Sequence, residues 1–212
     1  MSQSTMSQNT MENVSIMAKM LKVTLLVGTV LLSGCAGTSA FSPSTWFTSP
    51  LTWFSSPLVV SDSGVGQVTS MTPMKMDIVK EQLDDRYTMR SGMQMENGDV
   101  VTIFQGIDDE KIKIEVIGPE NGYVSRIIIS DPDVVTEWDT KVGTSFSDIY
   151  DKAFGVCILG ARMNDIPTVE CTAKQSKKVV YRFSGKWHGP ENLMPSDSDL
   201  KDWQVSQIIW TK

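Results

Sequence analysis

Tyr87-Thr88-Met89-Arg90-Ser91-Gly92-Met93-Gln94-Met95, then Asn97-Gly98, then Val100-Val101-Thr102-Ile103-Phe104 is the stretch that decides the architecture. Two extended runs on either side of Asn-Gly read as a β-hairpin, because Asn and Gly tolerate the positive φ that a two-residue turn needs. Downstream, Lys111-Ile112-Lys113-Ile114-Glu115-Val116 alternates charged and apolar side chains with period two, the pattern of a half-buried strand. Asn121-Gly122 turns the chain again, into Tyr123-Val124-Ser125-Arg126-Ile127-Ile128-Ile129. The four runs predict an antiparallel meander.

Working outward, Val65 and Val68 with Gly64 and Gly66 suggest a short first strand. Thr72-Pro73 then opens a predicted helix, with Thr72 as N-cap and proline at the first helical position. Met76, Ile78, Val79 and Leu83 make its apolar stripe, and it ends near Asp84-Asp85. A second helix is expected over residues 143–155, with a Thr or Ser cap and Gly155 as its stop. Thr168–Thr172, Val179–Phe183 and Val205–Trp210 supply three more strands. The prediction is a single α+β domain over residues 59–212, an antiparallel sheet meander with two helices packed on it.

Ahead of that domain lies a segment of different character. Lys19 and Lys22 precede an uncharged run from Val23 to Leu32, which leads into Leu32-Ser33-Gly34-Cys35. A basic start, a short apolar middle and small residues before a cut describe a secretory signal peptide. The run is far shorter than the roughly 20 residues of a membrane span. With cysteine next, the tetrapeptide resembles the lipobox of bacterial lipoproteins. That resemblance implies recognition of Leu32, Ser33 and Gly34 by the signal peptidase, removal of residues 1–34 and acylation of Cys35. Residues 1–16 are polar and read as a mis-assigned start, with Met17 or Met20 as better initiators. Ala36, rather than aspartate, follows the cysteine. By resemblance to Gram-negative lipoproteins this implies the sorting machinery and the inner leaflet of the outer membrane.

Residues 35–58 read as a tether rich in Ser, Pro and Trp. Thr45-Trp46-Phe47-Thr48-Ser49-Pro50-Leu51 nearly repeats as Thr52-Trp53-Phe54-Ser55-Ser56-Pro57-Leu58. Each proline interrupts a helix, which excludes a coiled coil. Trp46, Phe47, Trp53 and Phe54 either lie at the lipid head-group level, where amphipathic rings concentrate, or fold back over an apolar face of the domain.

Residues 35–212 hold 17 Lys and Arg against 24 Asp and Glu, a net charge of −7. That balance argues against nucleic acid, whose partners carry basic patches. It also gives anionic head groups no electrostatic hold, so the membrane contact is the anchor itself. Once Cys35 is acylated, Cys157 and Cys171 remain. An even pair in an oxidising compartment reads as one disulfide. A zinc half-site would need partners, and the single histidine, His188, is distant in sequence.

Several further motifs follow one another in a recognisable order. They are Gly64-Val65-Gly66, Arg90-Ser91-Gly92-Met93, the run Val142–Asp148, Ala153-Phe154-Gly155-x-Cys157 and Val169-Glu170-Cys171. Phe183-Ser184-Gly185-x-Trp187, Gly189-Pro190-Glu191-x-Leu193-Met194-Pro195-Ser196-Asp197 and Ile208-Ile209-Trp210 complete the series. Together with the lipobox they resemble the RpoE-regulated lipoproteins, a small Gram-negative family with a domain of unknown function. The resemblance implies control by the envelope-stress sigma factor and an outer-membrane address. It supplies no catalytic residue.

The residues offer little enzyme chemistry. A Ser-His-acid triad would have to use His188 in the turn-like Lys186-Trp187-His188-Gly189-Pro190, and the chain holds no Gly-x-Ser-x-Gly elbow. Asp108-Asp109-Glu110 and Asp131-Pro132-Asp133 read as solvated turns. No cofactor is implied. Met93-x-Met95 presents two thioethers to one sheet face, compatible with Cu(I), although methionine also fills cores. Asp197-Ser198-Asp199 lacks the ligand spacing of a Ca²⁺ loop. The leading expectation is a non-catalytic binding or accessory lipoprotein with an unidentified envelope partner, using a groove near Trp138, Trp187 or Trp203. The alternatives are a carboxylate-dependent hydrolase of cell-wall or envelope polymer, and a small-ligand or metal carrier near Met93 and Met95.

Overall fold

The computed structural model describes residues 57–96 and 98–212. It is mainly β, with strands β1 (Val59–Val60), β2 (Gly64–Val65), β3 (Val68–Thr69), β4 (Thr88–Glu96), β5 (Asp99–Asp108) and β6 (Lys111–Pro119). Then come β7 (Arg126–Ile129), β8 (Val135–Thr136), β9 (Cys157–Met163), β10 (Ile166–Thr172), β11 (Val179–Ser184) and β12 (Gln204–Thr211). Three short helices intervene: α1 (Met76–Gln82), α2 (Phe146–Ile149) and α3 (Asp197–Leu200).

The large sheet has eight strands in the order β4-β5-β6-β7-β12-β11-β10-β9, antiparallel throughout. Two meanders, β4–β7 and β9–β12, meet where Ile129, Ile128 and Ile127 pair with Ile208, Ile209 and Trp210. The predicted hairpin is present. Met95 pairs with Val100, Glu96 with Asp99, and Gly98 sits at φ +91°. Asp109 and Glu110, at φ +47° and +61°, turn β5 into β6. Asn164 and Asp165, at φ +49° and +63°, do the same for β9 and β10. Short polar side chains accept this left-handed region most readily.

One apolar cluster fills the space between the large sheet and a small one ordered β3-β2-β1-β8. The large sheet contributes Val116, Ile127, Ile129, Val179, Tyr181, Ile208 and Trp210, and the small sheet Val60, Val65 and Val68. The Trp210 Nε1–H donates to the Asp62 carbonyl at 3.2 Å, tying the sheets together. Phe146, Tyr150 and Phe183 close the far end, with Phe146 5.4 Å from Tyr150 and 5.2 Å from Phe183 between ring centroids.

The α+β expectation is corrected here to mainly β, because neither predicted helix holds its full length. Thr72 is not an N-cap: its Oγ donates to Gln82 Oε1 at 2.6 Å, and its carbonyl accepts from Val124 N at 2.9 Å. Residues 72–74 run extended beside 122–124, with Pro73 bridged to Tyr123, so α1 begins only at Met76. Its end near Asp84-Asp85 is as expected, with both residues at positive φ. Over residues 143–155 only the four residues of α2 are helical. It starts after the expected Ser cap, Ser145, and stops after one turn because Tyr150 turns extended (φ −130°, ψ 138°), with its hydroxyl donating to the Thr172 carbonyl at 2.6 Å. A strand not foreseen, β9, forms the edge beside β10.

Cys157 and Cys171 face each other across β9 and β10, disulfide-bonded, with Cα atoms 4.0 Å apart. That is the close spacing of a non-hydrogen-bonded cross-strand pair. The bond secures an edge strand that otherwise rests on one ladder. Reduction, or the C157A/C171A double variant, is expected to cost about 3 kcal/mol. That is roughly 6–12 °C in Tm for a domain of this size. A thermal melt with and without reductant measures it, and superimposable curves would exclude a stabilising role.

Tyr87 is buried and donates to Asp131 Oδ2 at 2.7 Å. Burial first, then the hydrogen bond to Asp131, pushes its phenol well above the ordinary value. A folded-state pKa above the unfolded one gives stability that is complete below about pH 10 and is lost as pH rises past it. Y87F is therefore expected to lose about 1–3 kcal/mol at neutral pH and to show a shallower decline between pH 9 and 11 than the wild-type chain. Urea titrations across that range check both, and parallel alkaline slopes would contradict the assignment.

Candidate functional site

The loop that leaves β11 and the hairpin of β9 and β10 enclose a groove of about 450 Å³, within the usual ~300–1,000 Å³ range of ligand sites. Arg162, Asp165, Ile166 and Pro167 line it from the hairpin, and Ser184 to His188 from the loop. The loop's shape follows from two glycines. A Cβ at Gly185 would stand 2.4 Å from the Trp203 ring, and one at Gly189 would stand 2.2 Å from the Trp187 ring. Both positions let backbone lie directly on an indole. The Trp187 Nε1–H donates to the Pro190 carbonyl at 3.0 Å, so the half-buried ring is held from two sides. Across the groove, Arg162 donates to Glu191 Oε1 at 3.2 Å and also to the Asp165 carbonyl.

The groove combines an aromatic wall and an apolar patch, Ile166 and Pro167, with polar groups of both signs. Asp165 is the one carboxylate among its lining residues. His188 is exposed and has no hydrogen-bonded hydroxyl or carboxylate among the described residues, so the pairing that activates a nucleophile is not formed. Of the three tryptophans expected at a groove, Trp187 lines one. Trp203 is buried in the core, and Trp138 donates from Nε1 to the Tyr181 hydroxyl.

A smaller pocket, of about 240 Å³, lies on the solvent face of the large sheet, between Arg126, Ile128, Glu170, Val180 and Arg182. Both of its guanidiniums are ion-paired, and Arg126 Nε is buried with no hydrogen-bond partner among the described residues. Arg182 donates to Glu170 at 2.7 and 2.9 Å and also to Gln207, and Arg126 pairs with Glu96.

The other sequence candidates separate. Met93 and Met95 are 72% and 67% exposed, with no enclosure around them. Asp131 is held by Tyr87 and by Asp133 N at 3.1 Å. Asp108-Asp109-Glu110 is the β5–β6 turn. Ser196 and Asp199 form a capping box on α3, and Asp197 accepts from Ala153 N at 2.8 Å. Among the described residues, no three or more His, Cys, Asp or Glu gather as a metal site, and no helix is long and apolar enough to cross a membrane. Leu32, Ser33, Gly34, Cys35, Trp46, Phe47, Trp53 and Phe54 lie outside the described residues. Sequence reading placed a groove near Trp187 among three tryptophans, but took 186–190 for a plain turn and did not supply the opposite wall, Arg162 to Pro167. Asn164-Asp165, a turn dipeptide between two runs of strand length, was the available signal for its other wall.

Comparison with known proteins gives a consistent result. A family model described as "Protein of unknown function (DUF1131)" matches residues 39–212. The "Uncharacterized protein YfeY" of Escherichia coli (strain K12) is 41% identical over 199 residues, covering 92% of this chain and 100% of that protein. The crystal structure of the uncharacterized protein yfeY from Escherichia coli matches with a TM-score of 0.66 at 42% identity, over 73% of this chain and 99% of that one. Sequence and fold thus agree, and the chain belongs to the DUF1131 family of proteins of unknown function.

Proposed function

We propose that this chain is a lipid-anchored envelope protein whose β domain acts as a non-catalytic binding or accessory module during envelope stress, under the stress sigma factor. In this reading residues 1–34 are removed, Cys35 is acylated, and the sorting machinery delivers the protein to the inner leaflet of the outer membrane. The domain then faces the periplasm on its Trp-Phe tether. The Cys157–Cys171 disulfide suits an oxidising compartment.

The observation that carries the binding role is the groove beside Trp187. Its aromatic wall is fixed in advance by Gly189 and Pro190, and a pre-organised wall lowers the entropy lost on binding. A hydrolase working through two carboxylates needs a facing pair, whereas this groove is lined by Asp165 alone among acids.

The test is in-cell crosslinking of the full chain under envelope stress, with membrane fractionation, beside C35A and W187A. The wild-type chain is expected in the membrane fraction with a discrete crosslinked partner, C35A in the soluble fraction, and W187A at the membrane with the partner lost. Membrane retention of C35A would defeat the anchor. A partner unchanged in W187A would defeat the groove as the binding site.

A further inference from the structure

We infer that the groove between the β9–β10 hairpin and residues 184–188 binds an uncharged saccharide chain, with a sugar ring packed against the part of Trp187 that lines it. The inference rests on the binding-module reading and names the ligand's chemistry.

The groove's composition excludes the other common ligand classes. An anion would meet the Asp165 carboxylate as well as Lys186, and the Arg162 guanidinium is already taken by Glu191 and the Asp165 carbonyl. An apolar segment would cover Asp165, Lys186 and His188, whose side chains have no partner among the described residues, and leave them dehydrated without compensation. A nucleic acid would face a chain of net charge −6.

A sugar suits what remains. Its C–H face is apolar and packs on an indole, while each hydroxyl both donates and accepts. Asp165 and the Ser184 hydroxyl accept, and Lys186 donates. Ile166 and Pro167 offer an apolar patch for a substituent methyl, such as that of an acetamido group. The groove is open at the surface, which lets a chain pass through it.

Gly189 makes the platform testable apart from its side chain. A methyl there would occupy the position of the Trp187 ring and displace it, leaving every lining side chain chemically intact.

The experiment is isothermal titration of the lipidated full chain, in a zwitterionic detergent free of sugar head groups. The probes are the tetramer of N-acetylglucosamine and cellotetraose. At least one is expected to bind, with W187A and G189A each weakening it about tenfold or more and W187F by less than about threefold. Thermal melts of each variant separate loss of the site from loss of the fold. No heat from either tetramer up to ~10 mM, or binding unchanged in folded W187A and G189A, overturns the inference. A crosslinked protein partner that depends on Trp187, with no tetramer bound, overturns the saccharide assignment and leaves the binding-module reading standing.

Discussion

Ile127, Ile128 and Ile129 of β7 pair with Trp210, Ile209 and Ile208 of β12, and on this ladder the rest of the structure depends. Without it the chain holds two separate meanders, each with two open edges and half a core. Short sheets of that kind are poorly stable alone. With it, eight strands form one surface, and Ile127, Ile129, Ile208 and Trp210 become the centre of the apolar cluster. Trp210 has a second task, since its indole N–H reaches Asp62 beside the small sheet. One strand thus organises the large sheet and holds its cover.

The two faces of that sheet are built on different terms. The core face is apolar and closed by the small sheet, α1 and the Phe146–Tyr150–Phe183 rings. The opposite face carries cross-strand polar rows, with Gln105 donating to Glu115, Arg182 to Glu170 and Gln207, and Gln207 to Ser130. Arg182, Glu170 and Glu115 are each answered by a neighbour there, so most of the face is paired within itself. The groove beside Trp187 differs because Asp165, Lys186 and His188 converge on it with side chains unmatched among the described residues. Unsatisfied convergence is what a ligand site needs and what a structural lattice avoids.

Local turn chemistry and period-two patterning were readable wherever the chain supplied both. The β4–β5 hairpin and the β6 strand were legible from Asn97-Gly98 and from Lys111–Val116. The strand β9 was not, because Gly160-Ala161-Arg162 breaks the alternation and the edge needs no buried stripe. The helix expected over 143–155 had genuine helical spacing at Phe146 and Tyr150. It ends at Tyr150, whose ring and hydroxyl are taken up by Phe183 and the Thr172 carbonyl, and no local signal reports partners that distant. Trp187 was legible as one wall of a groove, but its other wall was not: Arg162 and Trp187 meet only after the hairpin and the post-β11 loop have been placed side by side.

The position of β12 also governs the order in which this molecule can come into being. A ribosome makes β12 after the other eleven strands, yet β12 lies between β7 and β11. Emergence of the first meander gives an incomplete sheet, and the second cannot dock until its final strand exists. Such long-range closure slows folding. Closure of the large sheet therefore waits for β12, and until it emerges each meander keeps an unpaired edge open to other strands.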